Sequence, residues 1–416
     1  AHVLAPMVDQ SELPFRLLAR RYGAQLCYTP MFNANVFTNS AAYRQESIGR
    51  VVAEDRPLIV QFAGHDPAVL LQAARHVEHM CDAIDLNLGC PQGIARRGRY
   101  GAFLLEEEDL VVDIVRRLSS ELSVPVTCKI RLFRDDFPRT MRLVRRLEEA
   151  GCALLTVHGR DRHQNKQTVG ECDFEKIAAV KAALRIPVVA NGGIATLEDV
   201  RRCRAVTGVD GVMSSEAALE NPALFCGNLD SSGAHVDQNR LAREYLDLAE
   251  QHLKSSDTST PKCVKAHMFK FLFAGLQDHT DLRDRLGGAR TFKEFRSVVD
   301  ELAARGWQQP GFHRDGAYLR HRSWYYRYRM AAACAADGVE LPQPAKKGGK
   351  RKKRAEADDD GAEGEAGSTV APDADAGESV QDAPAGAPAK RREAPSAEVQ
   401  VPDGGATSAA PVGDTA

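Results

Sequence analysis

The sequence predicts an α/β fold: a (β/α)8 TIM barrel, then a small all-α helical domain and a disordered C-terminal tail. Three observations predict it. From residue 3 to about 225, short β-rich apolar runs alternate with longer amphipathic stretches. The runs number eight, the strand count of a closed barrel, with a doubly wound sheet as the alternative. Polar residues recur at the C-terminal ends of most of these runs, where a barrel of this kind keeps its chemistry.

The strands are read at VLAPM (3–7), LCYT (26–29), LIVQFA (58–63), AIDLN (83–87), VTCKI (126–130), LLTVH (154–158), VVAN (188–191) and GVMS (211–214). Between them lie helical patterns such as PAVLLQAARHVEHM (67–80) and TLEDVRRCRAV (196–206). The expected barrel domain therefore spans residues 1–234. Strand signals stop there, and LAREYLDLAEQHL (241–253) and PKCVKAHMFKFLFAGL (261–276) open a helical domain over 235–336. No aromatic residue follows Tyr328. Residues 337–416 are rich in Ala, Gly, Pro, Asp and Glu and cannot bury a core, so disorder is expected there. Within that tail KKGGKRKKR (346–354) reads either as a nuclear-localisation or RNA-binding patch or as a solvated charge run.

The bulk numbers exclude several classes. A chain of 416 residues, 43% hydrophobic, can bury one large core and a smaller second unit. The net charge of −2 says little, but residues 235–330 hold 17 basic and 12 acidic groups, which suits an anionic partner. Ten cysteines occur without a single Cys-x-x-Cys pair, so no structural metal site is expected. Scattered thiols fit a reducing compartment, cytoplasmic and/or nuclear. No apolar run approaches the roughly 18 residues of a membrane span, and the opening AHVLAPMVDQ lacks a leader pattern.

The strand ends, taken in order, give Pro6 and Met7, Gln61, Asn87 followed by Cys90, Lys129 with Arg131, His158 with Arg160, then Asn191-Gly192-Gly193, and Met213-Ser214-Ser215. Any one of these could be a rim residue; the set reads as a site. Lys129 stands in an otherwise apolar strand and needs an anionic partner, either a phosphate or the anionic edge of a reduced flavin. ANGGI (190–194) and GVMSSEAALENP (211–222) offer backbone N–H groups after the seventh and eighth strands, where such barrels bind phosphate.

At this point the sequence resembles the tRNA-dihydrouridine synthases. The matching stretches are APMVDQSELPFRLLARRYGAQLCYTPM (5–31), VQFAGHDP (60–67), DLNLGCPQGIARRGRYGAFLL (85–105), VTCKIR (126–131), LTVHGR (155–160), PVVANGGI (187–194) and GVMSSEAALENPALF (211–225). The wording is most similar to the eukaryotic branch that modifies positions 16 and 17 of the tRNA D-loop. The resemblance implies FMN as prosthetic group, NADPH (or NADH) as electron source and uridine in folded tRNA as substrate. It implies that Pro6, Met7 and Val8 pack on the flavin ring, that Gln61 and Lys129 bond its polar edge, and that Asn87 positions flavin or uracil. His158 is then expected near the flavin's pyrimidine side, with Asn191, Gly192, Gly193, Ser214, Ser215 and Glu216 holding ribityl and phosphate. Many bacterial members carry Gly-Arg-Gly where this chain has Ser215-Glu216-Ala217, so that arginine is missing from the phosphate site.

Reduction of the uracil C5=C6 bond takes a hydride and a proton. A cysteine of ordinary pKa, about 8.5, is mostly protonated at neutral pH and is a competent general acid. Cys90 is therefore the expected catalytic residue, the proton donor to C5; the alternative is a buried small hydrophobe, as free cysteines commonly are. Glycines 93, 98 and 101 are expected to let the loop close over an extruded base, and Arg96, Arg97 and Arg99 to hold neighbouring phosphates. Arg131 and Arg160 join them as substrate contacts. In the helical domain Lys262, Lys265, His267 and Lys270 recur along one helix. Arg320, Arg322, Arg327 and Arg329 interleave with Trp324, Tyr325, Tyr326 and Tyr328, a mixture of cations and stackable rings suited to RNA. Competing readings are an FMN barrel oxidoreductase acting on a small pyrimidine or enone, and a tRNA-binding protein that has lost catalysis. A monomer is expected, with tRNA as partner and neither membrane nor metal.

Overall fold

The computed structural model describes residues 1–48, 51–253, 260–306 and 319–340; the tail and its basic run at 346–354 lie outside the described residues. All eight expected strands are present, as β1 (His2–Leu4), β2 (Leu26–Tyr28), β4 (Leu58–Ala63), β5 (Ala83–Leu88), β6 (Val126–Arg131), β7 (Cys152–His158), β8 (Val188–Asn191) and β9 (Gly211–Ser214). All pair in parallel, and the β2–β4 and β1–β9 pairings close the sheet into a barrel. A two-residue strand, β3 (Phe32–Asn33), adds to the end of β4 and was not foreseen, being too short to leave a pattern.

Helices cover the outside. They start where the sequence supplies an acceptor: Asp66, Asp136, Asp173 and Thr196 each accept from backbone N–H groups of the first turn that have no intrahelical partner. Gly208 ends the helix Leu197–Thr207 in the left-handed region, at φ 65°. The barrel interior is layered. Val3, Ala5, Ile59, Ala83, Val189 and Met213 pack into one apolar plug with Tyr28. Further along the strands toward their C-terminal ends, Gln61, Asp85 and Thr127 form a buried polar layer, and Asn87, Lys129 and His158 follow it toward the mouth. Period-two alternation produces this order, since residues two apart on a strand share a face.

The helical part begins at Gln238–His252, three residues earlier than the apolar pattern suggested, because Asp237 caps it. The stretch expected as one helix over 261–276 is two, Thr260–Phe271 and Phe273–Asp278, broken at Leu272. The seam with the barrel is both apolar and polar. Phe15 stacks on His267 at 4.6 Å, while Glu12 accepts from Tyr245 Oη at 2.8 Å and meets His267 Nε2 at 3.1 Å. No helix among the described residues is long and apolar enough to cross a membrane.

Candidate active site

The floor of the barrel mouth is a continuous hydrogen-bond relay. Thr127 Oγ1 donates to Asp85 Oδ1 at 2.6 Å, and Gln61 Nε2 donates to Asp85 Oδ2 at 2.7 Å. Asn87 Nδ2 then donates to Gln61 Oε1 at 2.8 Å. Asn87 Oδ1 in turn accepts from the backbone N–H groups of Gly89 and Cys90, at 3.1 and 3.0 Å. Gln61, Asn87 and Cys90 thus come together as the strand ends suggested. Asp85 was missed, although the signal was present in AIDLN, where alternation puts it on the inner face with Asn87. Burial pushes its carboxyl up to about 6, against the Thr127 and Gln61 hydrogen bonds and the Lys129 charge.

Cys90 sits where β5 turns out of the barrel. Its carbonyl accepts from Ala102 N–H at 3.0 Å, which folds the following loop back beneath it. Gly101 makes this possible: its φ is 66°, and a Cβ there would meet Cys90 O at 2.6 Å and Cys90 Cβ at 2.9 Å. Burial raises the thiol's pKa, the nearby Arg131 and Lys129 opposing it, so Cys90 is protonated at neutral pH. The segment expected as an open, closing loop is instead a short helix, Gly93–Arg97. Arg96 and Arg97 are exposed on it, whereas Arg99 pairs with Glu107 at 2.7 Å.

Cations gather at the mouth with no ion-paired carboxylate among the described residues. Lys129 makes no hydrogen bond or ion pair among the described residues, and burial together with the Arg131 charge lowers its pKa to about 8. Its side chain still borders the open mouth while protein surrounds it. Among the described residues Arg131 bonds only carbonyls, those of Gly89 and Asp161 at 2.8 Å and Gln164 at 3.5 Å. Arg160 bonds the Gly170 carbonyl at 2.8 Å and reaches His158 Nε2 at 3.3 Å. A guanidinium can only donate, so Nε2 is the acceptor and the imidazole proton resides on Nδ1. Burial, then the charges of Arg131, Lys129 and Arg160, hold His158 well below the usual histidine range, so it is neutral.

A cradle for an anion lies beside these groups. Asn191 Nδ2 ties β8 to β9 through the Met213 carbonyl at 3.0 Å, and Ser214 Oγ donates to the Ile194 carbonyl at 2.9 Å. Ser214 is thus committed to the scaffold. Gly192 and Gly193 take φ of 107° and 74°, and the amides of Gly192, Gly193, Ser215 and Glu216 are not engaged in hydrogen bonds to described residues. Pro6 and Met7 are half-buried and Val8 is 52% exposed, an apolar ledge at the end of β1. An unmatched lysine, a free set of amides and an apolar ledge fit a group that is flat, anionic at one edge and phosphorylated at its tail. Gly192→Ala should cost about 1–3 kcal/mol in thermal unfolding, since the backbone is left-handed there and the added Cβ would lie 2.8 Å from His158 Cδ2 and 3.0 Å from Cys172 Sγ.

The cations of the helical part divide. Lys262 is exposed, but Lys265 Nζ donates to the Gly287 carbonyl at 2.6 Å. Lys270 is 5% exposed and lies over the Trp324 ring at 4.9 Å. Arg327 is stacked between Trp324 at 3.6 Å and Tyr328 at 4.3 Å, and pairs with Glu216 at 3.2 Å. Arg329 lies over Tyr325 at 4.4 Å. The aromatic–arginine segment therefore packs against its own barrel. Glu220 fastens it, accepting from Ser323 Oγ at 2.6 Å and from the N–H groups of Trp324 and Tyr325 at 2.9 and 3.0 Å.

A closed barrel that collects its polar groups at the C-terminal ends of its strands is an enzyme scaffold. The family described as dihydrouridine synthase (Dus) matches residues 3–302. A tRNA-dihydrouridine(16/17) synthase (NAD(P)(+))-like protein of Rattus norvegicus is 51% identical over 305 residues, covering 73% of this chain and 67% of its own length. The Mus musculus protein of the same name is 51% identical, covering 73% of this chain and 62% of its own length. A tRNA-dihydrouridine(16/17) synthase of Schizosaccharomyces pombe is 43% identical over 312 residues, covering 73% and 77%. The chain belongs to the dihydrouridine synthase family, a family of oxidoreductases.

Proposed function

We propose that this protein reduces the C5=C6 bond of uridine in the tRNA D-loop, at positions 16/17, using FMN and NADPH (or NADH). The observation that carries the reading is a protonated thiol, Cys90, held by Asn87 at the mouth beside an unmatched Lys129. The names of the relatives agree with substrate and electron donor. FMN would rest on Pro6, Met7 and Val8 with its polar edge toward Lys129, above the fully buried Gln61, and its phosphate on the amides of Gly192, Gly193, Ser215 and Glu216. When bound and reduced, it would supply the hydride that goes to C6.

The protein's own residues do the rest. Cys90 Sγ gives its proton to C5, and the thiolate left behind is stabilised by the charges of Arg131 and Lys129. Neutral His158 carries its proton on Nδ1, a far weaker acid than the Cys90 thiol, and does not compete with it. In this reading residues 1–234 carry the chemistry, and residues 235–336 grip the tRNA with exposed Lys262 together with Arg96 and Arg97 of the barrel loop. Their contacts are to backbone phosphate, which positions without reading sequence.

The test is mass mapping of tRNA lacking dihydrouridine after incubation with the purified protein and NADPH. A gain of two hydrogens at a D-loop uridine is expected, and the mapped position checks the 16/17 assignment. No gain, with flavin bound and NADPH still consumed, overturns the tRNA reading in favour of a small-molecule acceptor.

A further inference from the structure

The relay beneath Cys90 has a direction, and Asp85 sets it. An ionised carboxylate can only accept, so Gln61 must turn its NH2 toward Asp85 and its carbonyl oxygen toward Asn87. That oxygen obliges Asn87 to turn its own NH2 inward and its Oδ1 outward, onto the N–H groups of Gly89 and Cys90. Both lone pairs of Asn87 Oδ1 are thereby used on the bend that carries the thiol. Thr127 fixes the other end, since its hydroxyl occupies Asp85 Oδ1 and leaves Oδ2 for Gln61. Asp85 and Gln61 are fully buried, with no exposure to solvent to soften the requirement.

We propose that Asp85 is a positioning residue for Cys90, acting through Gln61 and Asn87 to hold the Gly89–Cys90 bend. The inference rests on the reading of Cys90 as proton donor, but it concerns the placement of the thiol and is tested by it. In Asp85→Asn one side-chain oxygen must serve two donors: kept on the Thr127 hydroxyl, it leaves an NH2 facing the NH2 of Gln61; turned to Gln61, it leaves the Thr127 hydroxyl without its buried acceptor. In the first arrangement Gln61 flips, then Asn87, and an NH2 opposes the Cys90 N–H. Size and shape are unchanged, so a loss reports on the charge and hydrogen-bond direction of Asp85 and not on packing. In the pair Asp85→Asn with Gln61→Glu the carboxylate moves one step along the relay. It accepts from both neighbours, and Asn87 recovers its native orientation.

The experiment measures the alkylation rate of Cys90 by peptide mass mapping in the flavin-free full chain, the melting temperature, and single-turnover reduction of tRNA. Asp85→Asn is expected to change the Cys90 alkylation rate several-fold and to slow turnover roughly 10–100-fold, the effect of displacing a reacting group by about an ångström. The double variant is expected to bring the alkylation rate back to within about twofold of the native value, a recovery that a general packing defect would not show. Native alkylation in Asp85→Asn, or no recovery in the double variant, overturns the proposal. Should Asp85→Asn fail to fold, Gln61→Met breaks the relay at its middle link, leaving Asn87 without the carbonyl that turns its NH2 inward, and is expected to give the same change in alkylation; unchanged alkylation there overturns it too. If Cys90→Ala keeps full turnover, the proton-donor reading falls, while the alkylation rates still decide what places the thiol.

Discussion

Cys90→Ala is expected to bind flavin and tRNA as the native protein does and to reduce uridine roughly 10²–10⁴-fold more slowly, the contribution of a positioned general acid. The substitution removes one sulfur at a half-buried position and touches none of the relay. Asn87 bonds the backbone of residue 90, not its side chain. The Ala102–Cys90 backbone bond likewise survives. The loss therefore belongs to the proton. Burial raises the pKa of the thiol, so the acid form persists through the neutral range and is depleted only as pH climbs past that raised value. The native rate should fall on that alkaline limb, and the variant's residual rate should lack it. Single-turnover reduction at saturating flavin, which removes the separate alkaline loss of flavin affinity at Lys129, followed by mass mapping across pH reads both. A variant that turns over at the native rate, or that keeps the same alkaline limb, would remove Cys90 from the mechanism.

Much of this site was legible because β-strands declare themselves. A run such as LIVQFA, buried at every position, has no competing helical reading once turn residues bound it, and a polar residue within it must face the barrel interior or its mouth. That is how Gln61, Lys129 and His158 stood out. Asp85 did not, because a single acid in AIDLN reads as a solvated face unless its hydrogen-bond donors, Gln61 and Thr127 from two other strands, are known to converge on it. The loop after Cys90 misled for a different reason. Its glycines suggested freedom, yet Gly101 is there for close approach to Cys90, and Gly93–Arg97 is a helix. The C-terminal cations were read from composition, which cannot say which side of a segment is turned inward. Glu216 and Glu220 supply partners more than a hundred residues away in sequence, and no local pattern announces such pairing.

Lys129→Met separates what binds flavin from what folds the barrel. The ammonium is buried beside Arg131 and has no bonded partner among the described residues, with only the charge of Asp85 in its favour while Cys90 keeps its proton. Its pKa in the fold is about 8 against an ordinary 10.5, so the charged form is the disfavoured one. The sign follows: at pH 7 lysine is charged in both the folded and the unfolded chain, and the fold carries the full cost of burying it. That cost is relieved as pH rises from about 8 toward 10.5, where the folded protein sheds the proton first. Methionine has a similar length and no charge. The flavin-free variant should melt above the native protein at pH 7, and the gap should narrow as pH rises through 8. Flavin affinity should move the other way. A charge-assisted hydrogen bond is worth about 1.5–3 kcal/mol, so the flavin Kd should rise roughly 10–150-fold. In the native protein that Kd should also weaken above pH 8, since the lysine must first recover its proton. Thermal unfolding of the flavin-free protein and fluorescence titration with FMN measure the two effects independently. A variant less stable than native at pH 7 would show that Lys129 is a packing residue. Native flavin affinity in that variant would show that the anionic edge is held elsewhere, with Arg131 the nearest remaining cation.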